Sequence, residues 1–403
     1  MLTQDRIDHL IAVYRDGLLG DTLPFWMEHS VDREYGGFIF CRGRDGSIID
    51  TDKGIGQQGR FAWLLATLYN TVQKYSPWLR LARHGIDFVR QHGFDSDGSV
   101  FAVVTREGEG VSRCSDRSAE AALATALAAY ARATGDTQAQ ADALRLFDRV
   151  KGYRHATLAG LGTSGCTYHE GDLHCRPLKH IDRPIALLAT AQVLRDNLEV
   201  PEVNSAIDSA IQEIERDFVR TDLRVVLDAT SPSGEFVDHF SGRTLKPGRA
   251  LHACSLILQE AKARSRSPQL LELGLKMLDW TWKRGWDEEY GGILHASDAR
   301  GMPLAEPGHD LKLWWPQTEA TIATLLAYQL TGDVKYAAWH TKVHDWAHAH
   351  FPDPEHGEWF ASLHRDGRPS LSLKGSLWKD AFHVPRMQWT CWRLAEEIQR
   401  PLV

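Results

Sequence analysis

The 403-residue chain predicts an all-α fold, an (α/α)6 barrel in which six helical hairpins close into a ring. Three observations predict it. Apolar residues recur at helical spacing in twelve long stretches. The links between them alternate in kind: short turns such as Thr134-Gly-Asp136 and Thr331-Gly-Asp333 join antiparallel helices, and long segments with D-G or S-G turns read as β-hairpins. Finally, three of those hairpins resemble one another, which is self-similarity at the scale of a helix pair. An open α-solenoid is the alternative, but a solenoid shows a tighter period and no long loops gathered at one end. No Pro/Gly/Ser linker interrupts the pattern, so residues 1–403 read as one domain.

Taken in order, the first helical stretch is Gln4–His29. Gly59–Tyr75 and Trp78–Gln91 form a pair. Asp116–Thr134 is Ala-rich, the composition with the highest helix propensity, and Thr137–Gly152 follows it across a three-residue turn. Arg183–Asn197 pairs with Pro201–Phe218, and Arg249–Arg264 with Pro268–Arg284. Pro316–Leu330, Asp333–His350 and Val384–Gln399 complete the set. The hairpins between them are Gly36–Asp50, Ser99–Val111, Val225–His239, Gly291–Leu304 and Glu358–Ser372.

The repeated hairpins carry a shared order of residues. One runs Glu34-Tyr-Gly-Gly-Phe, Asp45-Gly, Asp52-Lys53. Another runs Glu289-Tyr-Gly-Gly-Ile, Arg300-Gly, Leu311-Lys312. The last runs His356-Gly-Glu-Trp-Phe, Asp366-Gly, Leu373-Lys374. A helix follows each lysine. The residues after the lysines would therefore gather at one mouth: Gln57, Gln58 and Arg60; Trp314, Trp315, Gln317 and Glu319; Trp378, Lys379, His383 and Arg386. Apolar walls with a few converging polar groups describe a small-molecule pocket. The plainer reading is that such residues are helix caps and ion pairs.

Composition narrows the partners. A net charge of −7 with both signs interspersed lacks the basic stripe of a nucleic-acid binder. No apolar run is long enough to cross a bilayer, and the N-terminus lacks the layout of a signal peptide. Six scattered cysteines with no C-x-x-C pair read as free thiols in a cytoplasmic protein without a structural zinc. The segment Tyr168–His180 is His-rich, but His169, His174 and Cys175 lack an i, i+4 arrangement, so no metal is expected. Walker, Rossmann and nucleophile-elbow patterns are absent. Paired acids could serve a glycosidase; Asp116, Glu120 and Asp182 could partner Glu319, though each also reads as a cap or surface group.

His383 is the leading proton-transfer candidate. It is pinned between a hairpin and a helix start, and only His titrates near neutral pH without perturbation. Arg249 and His252, three apart on one helix face, follow the turn Pro247-Gly248. An arginine there can hold an oxyanion or a set of hydroxyls, or it can be a salt-bridge partner.

These residues carry a resemblance. Leu23-Pro-Phe-Trp26, Tyr35-Gly-Gly-Phe38, Asp52-Lys53, Gln58-Gly-Arg60, Phe240-Ser-Gly-Arg243, Pro247-Gly248, Lys312-Leu-Trp-Trp-Pro-Gln-Thr-Glu319, Gly357-Glu-Trp-Phe360 and Lys374 to Arg386 resemble the N-acylglucosamine 2-epimerase family. That family also includes cellobiose 2-epimerases, mannose isomerases and renin-binding protein, and the match spans nearly the whole chain. The resemblance implies an (α/α)6 barrel and metal-free epimerisation at C2 of a free monosaccharide or amino sugar through an enediol. No cofactor is required; ATP as an activator and a homodimer are further implications. It also implies His383 as acid/base, with Arg60, Glu319 and Arg386 binding the sugar oxygens; Trp315 and Gln57, at the same expected mouth, join them as substrate-binding candidates.

One block departs from the family. Its pattern is Pro-Gly-His with a Glu three residues on, where this chain has Arg249 and then His252. Three consequences stand open. His252 could supply the second base. His383 alone could move a proton between C2 and C1, giving aldose–ketose isomerisation. Or catalysis could be lost, leaving a barrel that binds a sugar or a protein.

Overall fold

The computed structural model describes residues 2–153 and 177–400. In chain order its helices are α1 (Gln4–Gly17), α2 (Leu23–His29), α3 (Ile55–Thr71), α4 (Ser76–His92), α5 (Ser118–Thr134), α6 (Thr137–Gly152), α7 (Asp182–Leu198), α8 (Asn204–Glu213), α9 (Phe240–Arg243), α10 (Pro247–Ala263), α11 (Pro268–Gly285), α12 (Trp314–Thr331), α13 (Val334–His350) and α14 (His383–Gln399). Six of them, α3, α5, α7, α10, α12 and α14, form an inner ring in that order. Trp389 closes it, donating from Nε1 to Thr71 Oγ1 at 3.2 Å. The outer helices α4, α6, α8, α11, α13 and α1 each pack mainly on one inner helix, and α4, α6 and α11 also touch the next. This is the expected (α/α)6 barrel.

The inner helices are apolar almost all round, as helices with two covered faces must be. Small residues set their spacing. The alanines of α5 admit α3 so closely that a Cβ on Gly59 would lie 2.9 Å from the Ala122 carbonyl. The long first stretch is not one helix. It opens into a π turn at Leu18–Thr22 before α2, because Pro24 has no N–H to give Gly20 and its ring would clash with that carbonyl. Pro201–Phe218 likewise starts as a 3₁₀ turn and ends as a π turn. Inner helices begin two to four residues earlier than their apolar pattern, at Ile55, Pro247 and Trp314.

The expected hairpins are reduced to two- to four-residue strands that stitch each loop to the next. Lys53-Gly54 pairs with Val103-Val104, Lys179-His180 with Ala229-Thr230, Thr244-Leu245 with Ser297-Asp298, and Lys312-Leu313 with Ser362-Leu363, all antiparallel. A bridge between Gly375 and Arg42 returns the series to its start.

The three repeated lysines are wholly buried, and each is paired with an aspartate that an arginine also binds. Lys53 Nζ lies 2.9 Å from Asp32, Lys312 2.8 Å from Asp287 and Lys374 2.9 Å from Asp353. The next hairpin then reaches back with an arginine: Arg106 to Asp32 (3.0 Å), Arg365 to Asp287 (2.7 Å) and, across the closure, Arg44 to Asp353 (2.7 Å). Burial of a charge is tolerated only with such pairing.

Five residues after each lysine, the inner segment secures its own hairpin. Gln58 exchanges two hydrogen bonds with the backbone of Phe38, and Gln317 does the same with Ile293. In both cases a glycine with positive φ, Gly37 or Gly292, leaves room. The third unit differs. Glu358 sits at the glycine position with φ 55°, and the residue five after the lysine is Lys379, whose Nζ donates to Glu358 Oε1 at 2.9 Å. Trp26 Nε1 donates to the other carboxylate oxygen at 2.6 Å. The helix also starts late here, at His383, leaving a loop between Lys374 and the helix.

Candidate active site

That late start places His383 in the first turn of α14, at the end of the barrel where the hairpins lie. Its side chain is 22% exposed, and Nδ1 lies 3.1 Å from Glu319 Oε1. Glu319, in the second turn of α12, is fully buried and also receives a hydrogen bond from Arg386 Nη2. His383 and Arg386 are three apart on α14, so one carboxylate reaches both. Burial alone would raise the Glu319 carboxyl; Arg386, His252 and His383 more than offset this and hold it well below the usual carboxylate range. An ionised carboxylate only accepts hydrogen bonds. The His383 proton therefore sits on Nδ1, and the Nε2 lone pair is left for a substrate. Trp315 and Trp314 flank the imidazole, with ring centroids 5.9 and 6.2 Å away.

His252, in the second turn of α10, completes the cluster. Burial lowers its pKa to about 4, with Glu319, Arg386 and His383 acting on it electrostatically. The ring is half-buried and makes no side-chain hydrogen bond among the described residues. Among the described residues two buried atoms here, Glu319 Oε2 and Arg386 Nε, have no hydrogen-bond partner. Buried polar groups are normally satisfied, so the cluster keeps hydrogen-bonding capacity beside a partly exposed imidazole.

The other predicted site residues are already engaged. Arg60 donates from Nε and Nη2 to Asp380 Oδ2 at 2.8 and 2.6 Å. Gln57 is 2% exposed and donates to the Ser376 carbonyl at 2.8 Å. It is a strut under the loop before His383. Arg249 is a salt-bridge partner, one of its two expected roles. Nη1 is 2.9 Å from both Asp228 oxygens, and Nε is 2.9 Å from Asp182. Those carboxylates outweigh its desolvation and hold its pKa above the ordinary arginine value, so it is neither a base nor a free cation. Glu120 is not a surface group but is fully buried beside Arg117 at 2.6 Å.

The structure adds Asp380 and Asp228 to the mouth, and it pairs Asp182 with Arg249 rather than with Glu319. Asp380 stands in the Trp378-Lys-Asp380 block and could have been found there. Asp228 is 21 residues before Arg249, with no local signal. Trp378 is 86% exposed on the loop before His383. Most of the His-rich segment, including His169, His174 and Cys175, lies outside the described residues. Among the described residues no group of three or more His, Cys, Asp or Glu side chains is arranged to hold a metal ion. No helix there is long and apolar enough to cross a membrane.

Comparison with known proteins places this geometry. The family model described as N-acylglucosamine 2-epimerase matches residues 37–165 and 216–384. The N-acylglucosamine 2-epimerase of Mus musculus is 31% identical over 390 residues, covering 94% of this chain and 90% of the mouse protein. Among solved structures, the cellobiose 2-epimerase from Bacillus thermoamylovorans superposes with a TM-score of 0.81 at 19% identity, covering 97% of this chain and 100% of that one. A D-mannose isomerase gives 0.80 at 18% identity, with coverage of 96% and 97%.

Proposed function

The chain belongs to the N-acylglucosamine 2-epimerase family, and from that premise we propose that it epimerises a free N-acyl hexosamine or hexose at C2, with His383 and His252 as the proton-transfer pair. It is a carbohydrate epimerase, of the isomerase class. The observation that carries the residue assignment is the convergence of His383, Glu319, Arg386 and His252 around buried polar atoms that have no partner among the described residues.

The proposed chemistry follows from the side chains. With the sugar in its open form, the C2 proton is acidified by the adjacent aldehyde. One imidazole removes it, and the electron pair moves onto the carbonyl oxygen to give an enediolate. The other imidazole returns a proton to the opposite face of C2, and the roles exchange in the reverse direction. Glu319 orients His383 and accommodates the imidazolium when the proton is on the ring. Arg386 beside it supplies positive charge where the enediolate forms. His252 is held neutral by burial, the form a base needs. The position where the family carries histidine holds the ion-paired Arg249 instead, and His252, one turn further along α10, takes the second role.

The proposal also includes a cytoplasmic enzyme, in line with the free thiols of Cys41, Cys114, Cys254 and Cys391. It includes a homodimer, which sedimentation analysis checks, and activation by ATP, which assays with and without the nucleotide check. No metal or organic cofactor is assigned a step. Incubation in D2O with N-acetylglucosamine, N-acetylmannosamine, glucose, mannose and cellobiose, followed by NMR, tests the function. Deuterium at C2 with formation of the C2 epimer is the expected result. A ketose product would redirect the assignment to aldose–ketose isomerisation. No exchange with any of these sugars would contradict the proposal.

A further inference from the structure

Anchoring of the hairpins is where the third unit departs from the other two, and the departure falls beside the proposed acid/base. In α3 and α12 the fourth residue of the inner helix, Gln58 or Gln317, bonds the hairpin backbone. The fourth residue of α14 is Arg386, and it bonds Glu319 in the cluster instead. The hairpin here is anchored from outside the helix, by Lys379 in the loop before it. Helices α3 and α12 start two residues after their clamp lysines, whereas α14 starts nine residues after Lys374. Moving the anchor into this loop leaves His383 and Arg386, both in the first turn of α14, to the cluster.

Stability does not account for the change of anchor. A buried ion pair is seldom worth more than well-packed neutral contacts, and the same molecule uses the neutral glutamine–glycine pairing twice. The ion pair also needs a side chain at the glycine position. Glu358 adopts φ 55° there, a left-handed conformation that costs a non-glycine residue free energy. What the pair adds is reach and direction. Lys379 Nζ donates to Glu358 Oε1 at 2.9 Å and to the Lys374 carbonyl at 2.7 Å, which closes the loop on itself. Glu358 is fixed in turn by Trp26 Nε1 at 2.6 Å and by the Trp359 N–H at 2.9 Å. From Lys379 only three residues lead to His383. Asp380 accepts from Arg60, Ala381 is wholly buried, and Phe382 packs on Trp63 with ring centroids 5.5 Å apart. Phe382 stands at the N-cap of α14 without a hydrogen-bonding side chain. The start of the helix is therefore set by these contacts and not by a local capping signal.

We infer that the Lys379–Glu358 pair is a positioning device for catalysis, which sets where His383 stands against Glu319; the inference rests on the epimerase reading above. Rates are steep in the placement of reacting groups, and an error of about 1 Å can cost about a hundredfold. A glutamine at position 379 is one bond shorter than lysine. To reach the Trp359 backbone across a vacated carboxylate it would draw the loop toward the hairpin, and His383 with it.

The test compares Lys379→Gln/Glu358→Gly with Glu358→Gln in the full chain. Urea denaturation reads stability. C2 exchange in D2O, with whichever sugar the wild type exchanges, reads kcat and KM. Nitrogen-15 NMR of histidine-labelled protein, with the His383 signals identified by their loss in His383→Ala, reads whether His383 carries its proton on Nδ1. The double variant restores the neutral pairing and is expected to keep most of the wild-type stability. Its kcat is expected to fall about a hundredfold with KM changed by no more than about threefold, and the Nδ1–H form of His383 to lose its predominance. Glu358→Gln keeps the length of the tether. It is expected to be the less stable protein, because the Lys379 ammonium loses its counter-charge, yet to keep the Nδ1–H form and a kcat within about tenfold of wild type. A double variant with wild-type kcat and tautomer would overturn the inference, and so would a kcat that follows stability through both variants. If the wild type exchanges no sugar the epimerase reading fails, and the tautomer of His383 in the two variants still decides the inference.

Discussion

The Asp–Lys–Arg clamps and the His383 cluster are built from similar charged groups at the same end of the barrel, and they differ in whether the charges are used up. At Asp287, Lys312 donates to one oxygen, Arg365 spans both, and the backbone N–H groups of Glu289 and Tyr290 fill the rest. Around Glu319, one oxygen is shared by His383 and Arg386 and the other has no partner among the described residues. The clamps hold hairpins in register and have no capacity left for a ligand. The cluster is held as firmly from outside but is left incomplete inside. Buried polarity alone is therefore a poor sign of function here; the cluster is set apart by unsatisfied atoms beside two histidines.

That contrast can be broken by mutation, and the largest separation is expected from His383→Ala. It should lower C2 exchange by about a thousandfold or more while leaving the melting temperature within a few degrees, as NMR and calorimetry would show. Asp287→Ala should do the reverse. It strands Lys312 in the core and should cost about 3–5 kcal/mol in chemical denaturation, with per-molecule activity retained in whatever remains folded. Parity of the two variants in both assays would erase the distinction between clamp and site.

A sharper test lies inside the clamps. Lys379→Gln alone leaves the Glu358 carboxylate without its ammonium partner and should destabilise the protein by about 2–3 kcal/mol. Adding Glu358→Gly recreates the glycine–glutamine pairing of the other two units and should recover much of that loss. Strict additivity of the two changes would contradict the equivalence of the units.

A last effect concerns acid. His340, His344 and His348 ascend one face of α13, and the Tyr14 hydroxyl lies 3.2 and 2.7 Å from the first two rings. Burial lowers all three from the ordinary 6.5, His340 to about 3 and His348 to about 4. They are neutral in the fold and take up protons more readily once unfolded. Stability should therefore hold above about pH 6.5 and fall as pH drops below it, by about 1.4 kcal/mol per pH unit for each proton gained on unfolding. His340→Gln should flatten that slope, which urea titrations between pH 4 and 7 would measure.

Much of this was legible in the residues and some was not. Helical periodicity and turn chemistry gave the ring of hairpins, and the repeated lysines marked its three similar units. Their partners were in view: Asp32, Asp287 and Asp353 each stand two residues before a repeated glutamate, and Arg44, Arg106 and Arg365 each precede an Asp-Gly or Glu-Gly turn. Two of the repeated hairpins open at Glu34 and Glu289 and the third at His356, so the aspartates stand two or three residues outside the repeat. Gln57 and Gln58 show a harder limit. Neighbours on a helix point about 100° apart, and only packing decides which one meets Phe38 and which supports Ser376. Arg249 shows another, since its fate depends on Asp228, brought to it by a strand pairing that no local pattern announces.

The central claim is that two histidines work on opposite faces of C2, and His252→Ala tests it most directly. The variant would be incubated in D2O with each member of whichever C2-epimer pair the wild type interconverts, and isotope at C2 followed separately from epimer formation. Exchange into one epimer only, without conversion to the other, is the result expected when a single remaining base, His383, works one face. Wild-type rates of epimerisation in His252→Ala would contradict the claim and leave His252 outside the chemistry.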